Sequence, residues 1–307
     1  MERSAPRLGR ALVANGSLLG AIAIWGSFFP LLAYLLETWD PYSNAAGRAL
    51  LGSGVLGLFA LARHGRRVFA QPLPWRRIVP LALFGVVAFN LLMTLGVAHA
   101  GPISAAIVAA TGPVSAAVLA RVLYRQPIRP AVAVAAVMAV AGGACVALAH
   151  GGDMADLRGG ELLVFGASVA WLWYSMRFND WLGGLPTFYV TAATYAVGAA
   201  ILTVAVLVLG AFGITEPMID TSAESLGLMA LVALTSTAVA VLLWLHGVGR
   251  LGVAVGAAYG NLVPVVTVAG AALFGITPRP LEVIGGLIVI AGVVVAQSGG
   301  KWDGAAS

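Results

Sequence analysis

Arg48 is the one cation placed well inside an apolar run, about two turns into the stretch that begins at Pro41. A guanidinium there can grip a carboxylate with its planar fork, or satisfy backbone carbonyls and snorkel outward. No acidic residue is expected at its depth, and an ionisable group inside a membrane span points by default to function. The other polar groups within apolar runs are Asn90, Thr94, Thr111, Ser168, Tyr174, Ser236, Tyr259 and Asn261. An Asn at such depth is costly unless it is paired or faces water. These side chains therefore either bond between helices or line a wet cavity, and Asn90 and Asn261 are the preferred cavity residues. Trp25, Trp171, Trp173 and Trp244 also fall inside apolar runs, where each indole N–H needs a partner. Met93 stands with them as an adaptable apolar wall. This is the chemistry of binding rather than of bond-making.

Reactive groups are missing. There is no G-x-x-x-x-G-K-[ST], H-E-x-x-H, G-x-S-x-G or Asp-rich metal motif, so neither an intramembrane hydrolase nor a metal or cofactor site is expected. Cys145 is a lone thiol in an apolar run and reads as an inert core residue. His64, His99 and His150 fall at loops or span ends. His246 lies inside a run near its end, where a structural hydrogen bond is expected. All twelve acidic residues fall in loops, tails or first turns of helices; Glu161 and Glu282 open helices, where a carboxylate is stabilised by the N-terminus.

The elements that position these residues are membrane helices. The chain is 60% hydrophobic and 9% charged, with mean hydropathy +0.96, whereas a soluble chain carries about 25% charged residues. The net charge of +5 does not signal nucleic acid, because the arginines sit in short loops where they set orientation. Apolar runs near span length recur throughout, too long for barrel strands. Ten helices are predicted, at 11–36, 41–62, 77–98, 101–124, 131–150, 159–178, 186–210, 225–247, 252–275 and 280–298. Arg63, Arg66, Arg67, Arg76, Arg77, Arg121, Arg125, Arg129, Arg177, Arg250 and Lys301 fall on one side with the N-terminal arginines. The other side holds Glu37, Asp40, Asp153, Asp156, Glu216, Asp220 and Glu224, against Arg158 and Arg279. Both termini are thus expected in the cytoplasm. Trp39, Trp75, Trp181 and Trp302 lie at span ends and read as an interfacial belt.

The chain is written twice. GVAHAGPISAAIVAATGP from Gly96 is matched by GVGRLGVAVGAAYGNLVP from Gly247, with paired positions 151 residues apart; Met93 and Trp244 share that spacing. Gly20-Ala-Ile-Ala-Ile-Trp25 resembles Gly166-Ala-Ser-Val-Ala-Trp171, and Pro41 is matched by Pro186. Repeats come first in reading a fold. The organisation expected is a tail at 1–10, a first repeat at 11–150, a second at 151–298 and a tail at 299–307. Five helices per repeat is an odd number, so the second repeat must enter the membrane the other way up. Rows of small residues, Gly101/Ala105/Ala109 and Gly252/Gly256/Gly260, let backbones pack closely. Pro113 and Pro264, at equivalent places, are expected to kink their helices and either widen a central cavity or serve as hinges.

Trp25-Gly26 in the first helix, Arg48 in the second, Pro113 and Pro264, and Ala141-Gly142 and Ala291-Gly292 near the ends of the fifth and tenth helices resemble the EamA family of the drug/metabolite transporter superfamily. Within it, the chain is most similar to the YddG-type amino-acid exporters. The resemblance implies an all-α polytopic protein of ten transmembrane helices in two inverted five-helix repeats, in the bacterial inner membrane, exporting amino acids or related metabolites. It departs from the family at the Gly-Glu pair that often follows the fourth and ninth helices; here Arg125-Gln126 and Ile276-Thr277 stand there. The partners expected are a small-molecule substrate and the lipid bilayer, and a monomer is one assembly compatible with them. Nucleosides, nucleotide-sugars and cationic drugs remain alternative cargoes, and an intramembrane enzyme is the disfavoured class.

Overall fold

The computed structural model describes residues 5–66, 72–128, 130–149 and 159–298. The expectations that rest on Arg3, Arg67, Arg129, His150, Asp153, Asp156, Arg158, Lys301 and Trp302 lie outside these residues. The described chain is helical: α1 (Ala5–Leu35), α2 (Pro41–His64), α3 (Trp75–Ala100), α4 (Pro102–Ala109 and Gly112–Tyr124), α5 (Pro130–Leu148), α6 (Gly160–Leu182), α7 (Thr187–Ala211), α8 (Ala223–Leu251), α9 (Val253–Tyr259, Gly260–Leu262 and Val263–Ala272) and α10 (Pro280–Ser298). Among them α1, α2, α3, α7 and α8 are long and apolar enough to cross a bilayer, and α4 is a sixth if its two pieces, bent by 42°, count as one span. The apolar parts of α5, α9 and α10 are shorter. α6 is 23 residues long, but Trp171, Trp173, Tyr174 and Arg177 lower its hydropathy. Among the described residues, five or six of the ten helices thus qualify as spans by length and apolarity alone.

The halves are related by a twofold operation, visible in the close contacts. A methyl placed on Gly96 of α3 would strike Val164 and the Gly160 carbonyl of α6; one placed on Gly247 of α8 would strike Leu18 and the Ala14 carbonyl of α1. These are the same contact, carried 151 residues along α3→α8 and 146 along α1→α6. Gly20 against Leu243 repeats as Gly166 against Leu92, and Gly52 against Thr237 repeats as Gly198 against Val86. α5 and α10 pair with each other across the axis, with Gly142 on the Gly285 carbonyl and Gly292 on Ala135. Residue number rises along one helix as it falls along the other, so the pair is antiparallel. The operation that swaps them therefore turns about an axis perpendicular to the helices, and the second half stands upside down relative to the first.

The irregularities repeat as well. α3 and α8 each contain a π-helical stretch, Leu83–Ala88 and Ala233–Val239, at corresponding places. No feature of the sequence announces these stretches; π turns occur often at functional sites. Gly101 and Gly252 both take φ near +80° (78° and 89°), a conformation that suits glycine, and each ends one helix and starts the next without an intervening loop. α4 breaks at Ala110–Thr111, and α9 narrows to a 3₁₀ turn at Gly260–Leu262. Pro113 and Pro264 sit in the first turn of the pieces that follow. Each proline opens a half-helix, where its missing N–H costs nothing, so the bend lies just before it.

Turns at the ends join the halves. Asp40 caps α2 by accepting from the Tyr42 and Ser43 amides, and its other oxygen accepts from the Met218 amide of the α7–α8 connection. Trp39 is buried, not part of a belt: its indole N–H donates to Ser225 Oγ at 2.7 Å. At the opposite end Arg77 donates to the Trp181 carbonyl, and Tyr124 and Arg177 both donate to Asp180. This end carries the arginine-rich connections, which are expected to face the cytoplasm. A single cysteine at Thr221, in a Cys145→Ala background, should react with an impermeant thiol reagent added outside intact cells, and one at Asn179 should not. The reverse pattern would invert the orientation.

Candidate functional site

Midway along the bundle lies a cavity of about 110 Å³. It is lined by α1, α2, α3, α4, α6, α7, α8 and α9, which meet where both halves are irregular. Three tryptophans form one wall. Trp25 and Trp171 are repeat equivalents and stand edge to face, their ring centroids 5.5 Å apart at 89°; Trp244 lies 5.3 Å from Trp25 and 6.4 Å from Trp171. Phe89 adds a ring 4.9 Å from Trp171. Offset and edge-on aromatic pairs each contribute about 0.5–1.5 kcal/mol beyond area burial, so these contacts favour the arrangement of the rings.

The indole N–H groups show why the wall holds its shape and where it does not. Trp25 donates to the Ser236 carbonyl at 3.0 Å, across from α1 to the π stretch of α8. Trp244 donates to Ser175 Oγ, which donates in turn to the Trp171 carbonyl. By symmetry Trp171 would donate to the Gly85 carbonyl. It does not, because the Tyr174 ring is pressed onto Gly85 so closely that a methyl there would overlap it. The Trp171 N–H is buried without a hydrogen-bond partner among the described residues.

A buried charge with its polar partners also lines the cavity, and it belongs to the first half only. Arg48 is 2% exposed; it neither snorkels nor caps carbonyls. Its Nε donates to Asn44 Oδ1 at 3.0 Å and its Nη2 to Thr94 Oγ1 at 2.6 Å. Thr94 passes the chain to the Asn90 carbonyl, and Asn90 Nδ2 donates to the Val86 carbonyl. Phe28 lies under the guanidinium at 4.9 Å, a cation–π contact. Among the described residues no carboxylate pairs with Arg48. In the second half its equivalent is Thr194, which bonds its own helix, and Asn90 and Thr94 become Val241 and Leu245. Symmetry therefore does not cancel this charge.

Of the residues singled out in the sequence, Trp25, Arg48, Asn90, Met93, Trp171, Ser236 and Trp244 are brought together around the cavity. Six others are placed elsewhere. Thr94 stands behind Arg48 as its acceptor. Thr111 bonds the Val108 carbonyl at the α4 break. Tyr174 is fully buried behind Trp171. Trp173 points the other way and packs on Phe84 and Trp181. Tyr259 is drawn off by Asn15, its hydroxyl donating at 2.6 Å. Asn261 sits in the 3₁₀ turn of α9, where its neighbour Gly260, and not Asn261, faces the cavity. His246 is not in the cavity wall, and its Nε2 is buried without the structural hydrogen bond expected of it. Ser168, also singled out in the sequence, lines the cavity, and so do Phe28, Phe29, Phe89, Thr237 and Tyr195, which were not. Phe28 and Phe29 follow Trp25 by three and four residues, and Phe89 precedes Met93 by four, so helix spacing could have found them.

With the geometry in place, the comparisons with known proteins decide the family. The sequence profile of the EamA-like transporter family matches twice, at residues 13–148 and 158–297. The chain belongs to that family. An EamA chain is a multi-pass membrane transporter built from two repeats, and the cavity lies where the repeats meet. Two Bacillus subtilis proteins are similar over nearly the whole length. Uncharacterized transporter YyaM is 24% identical across 91% of this chain and 92% of its own; uncharacterized transporter YrdR is 24% identical across 94% and 92%. One solved crystal structure superposes with a TM-score of 0.68 at 22% identity, covering 95% of this chain and 98% of the other; the likeness is one of fold.

Arg48 is held rather than holding. Removing its acceptor should cost more than removing the arginine: Thr94→Val is expected to lower stability by about 1–3 kcal/mol through an unsatisfied buried donor, and Arg48→Met by less, because the desolvated charge goes too. Thermal unfolding in detergent checks the order; greater loss with Arg48→Met would make the arginine a structural strut.

Proposed function

We propose that this EamA transporter exports neutral amino acids, aromatic ones included, through the central cavity. The observation that carries this reading is a buried guanidinium without an anionic partner among the described residues, lining the same cavity of about 110 Å³ as three tryptophans. A substrate carboxylate would complete the fork of Arg48, and an apolar side chain would lie against Trp25, Trp171 and Trp244. A cationic drug fits this cavity poorly, since like charge faces like. A nucleotide-sugar would bring two phosphates to one cation. The likeness to YddG-type exporters supports the same cargo.

We read the mechanism as alternating access by rocking of the two inverted halves, with ten membrane crossings and both termini cytoplasmic, in the bacterial inner membrane. Among the described residues that line the cavity, none is acidic. Glu282 is buried, but away from the cavity, where it accepts from Ser104 and from the Arg279 amide. This arrangement supports facilitated diffusion down the substrate's own gradient.

Purified protein in liposomes, loaded with a panel of labelled amino acids, tests both points. Efflux of neutral amino acids should be saturable and fall about tenfold or more in Arg48→Lys, which keeps the charge and loses the fork. With equal substrate on both sides, an imposed pH gradient should drive no net accumulation. Efflux confined to compounds without a carboxylate would overturn the cargo, and accumulation that follows the pH gradient would overturn the mechanism.

A further inference from the structure

The twofold operation also exposes a place where the halves part company. On the outside of the bundle, α1 and α8 leave between them a crevice of about 340 Å³. Its lining is apolar apart from Ser27, Thr235 and Ser236, and all three hydroxyls are turned back onto their own helices, Ser27 to the Ala23 carbonyl, Thr235 to the Leu231 carbonyl and Ser236 to the Val232 carbonyl. No donor is left for a polar guest. Phe28 and Ser236 line the floor of this crevice and also the central cavity, so one layer of side chains separates the two spaces.

The corresponding place between α6 and α3 is filled. Ser27 becomes Trp173 and Thr235 becomes Phe84, and these two rings pack at 4.6 Å. Phe28 becomes Tyr174, which lies down on Gly85; at the other side Ser236 stands where Gly85 would be, and Phe28 leans instead to Arg48. One half thus plugs its outer groove with its own aromatic hydrocarbon, and the other leaves it open along helices long and apolar enough to face lipid.

We propose that the crevice between α1 and α8 binds a hydrocarbon chain of the surrounding bilayer, in the position that Trp173 and Phe84 occupy in the other half. The chain supplies the missing apolar contacts, since an empty groove forfeits dispersion on both walls. It also brings lipid to within one side chain, Phe28, of the cavity. The floor is held by the Trp25 to Ser236 bond, so occupancy of the crevice bears directly on the tryptophan wall.

The test uses the whole protein in vesicles of phosphatidylcholine carrying a photoactivated diazirine midway along one acyl chain, with adducts mapped by mass spectrometry. Adducts on Ser27, Phe28 and Thr235 should exceed those on the mirror face, at Trp173, Tyr174 and Phe84, by roughly tenfold. This comparison needs no variant. In Ser27→Trp/Thr235→Phe, which copies the plug, the Phe28 adduct should disappear. In Trp173→Ser/Phe84→Thr, adducts should appear at Tyr174. Equal labelling of the two faces in the wild type, or a Phe28 adduct that survives the plug, would overturn the proposal. Neither outcome depends on which substrate is carried.

Discussion

The close approach of α3 to α6, and of α8 to α1, is the constraint on which the rest of the molecule depends. Gly96 and Gly247 have no side chain, so each helix meets its partner backbone to backbone, against the Gly160 carbonyl in one half and the Ala14 carbonyl in the other. In lipid there is little hydrophobic drive to join helices, and association rests on such packing. A one-turn shift of α8 along α1 would put Trp25 out of reach of the Ser236 carbonyl and Trp244 out of reach of Ser175 Oγ. That seam therefore sets the register of the aromatic wall.

Upon this symmetric frame the chemistry is asymmetric. The equivalents of Arg48, Asn90 and Thr94 are Thr194, Val241 and Leu245, so the cavity has a single buried charge beside its tryptophans rather than two symmetric copies. A symmetric pair of arginines would repel across the cavity. A single one, relayed through Thr94 to the Asn90 carbonyl, keeps its charge paired by neutral acceptors and leaves it unneutralised. The same loss of symmetry opens the groove at Ser27 and Thr235 that Trp173 and Phe84 close on the other side. Paired π stretches in α3 and α8 and paired breaks in α4 and α9 surround this region, and they give the halves places to bend.

Much of this was legible in the sequence because it was written twice. The 151-residue spacing marks the two seams, the chain breaks at Gly101 and Gly252, and the prolines that open the half-helices. The family follows from the same residues. The cavity was legible where a side chain lies on the inward stripe of a straight helix, as Trp25, Asn90, Met93, Trp171 and Trp244 do. Reading failed where depth was taken for direction. Trp173 and Tyr174 are as deep as Trp171, but neighbours on a helix point about 100° apart, and one packs outward while the other is buried behind the wall. Asn261 falls off the α-helical phase because α9 narrows to a 3₁₀ turn at Gly260–Leu262, and Tyr259, just before the turn, is drawn off by Asn15. The π stretches left no mark in composition or periodicity. Fewer than ten helices pass as spans by length and apolarity, because α4 is bent, the apolar parts of α5, α9 and α10 are short, and α6 carries aromatic and charged groups.

The central claim is that Arg48 waits for a carboxylate. It is tested most directly by titrating purified protein with L-phenylalanine and with its amide, reading the fluorescence of the cavity tryptophans on selective excitation. The amide has the same side chain and amino group but no negative charge. The account predicts a saturable change with the amino acid, a response at least about tenfold weaker with the amide, as expected for loss of a charge-assisted pair, and no difference between the two ligands in Arg48→Met. Equal responses to amino acid and amide in the wild type would contradict it.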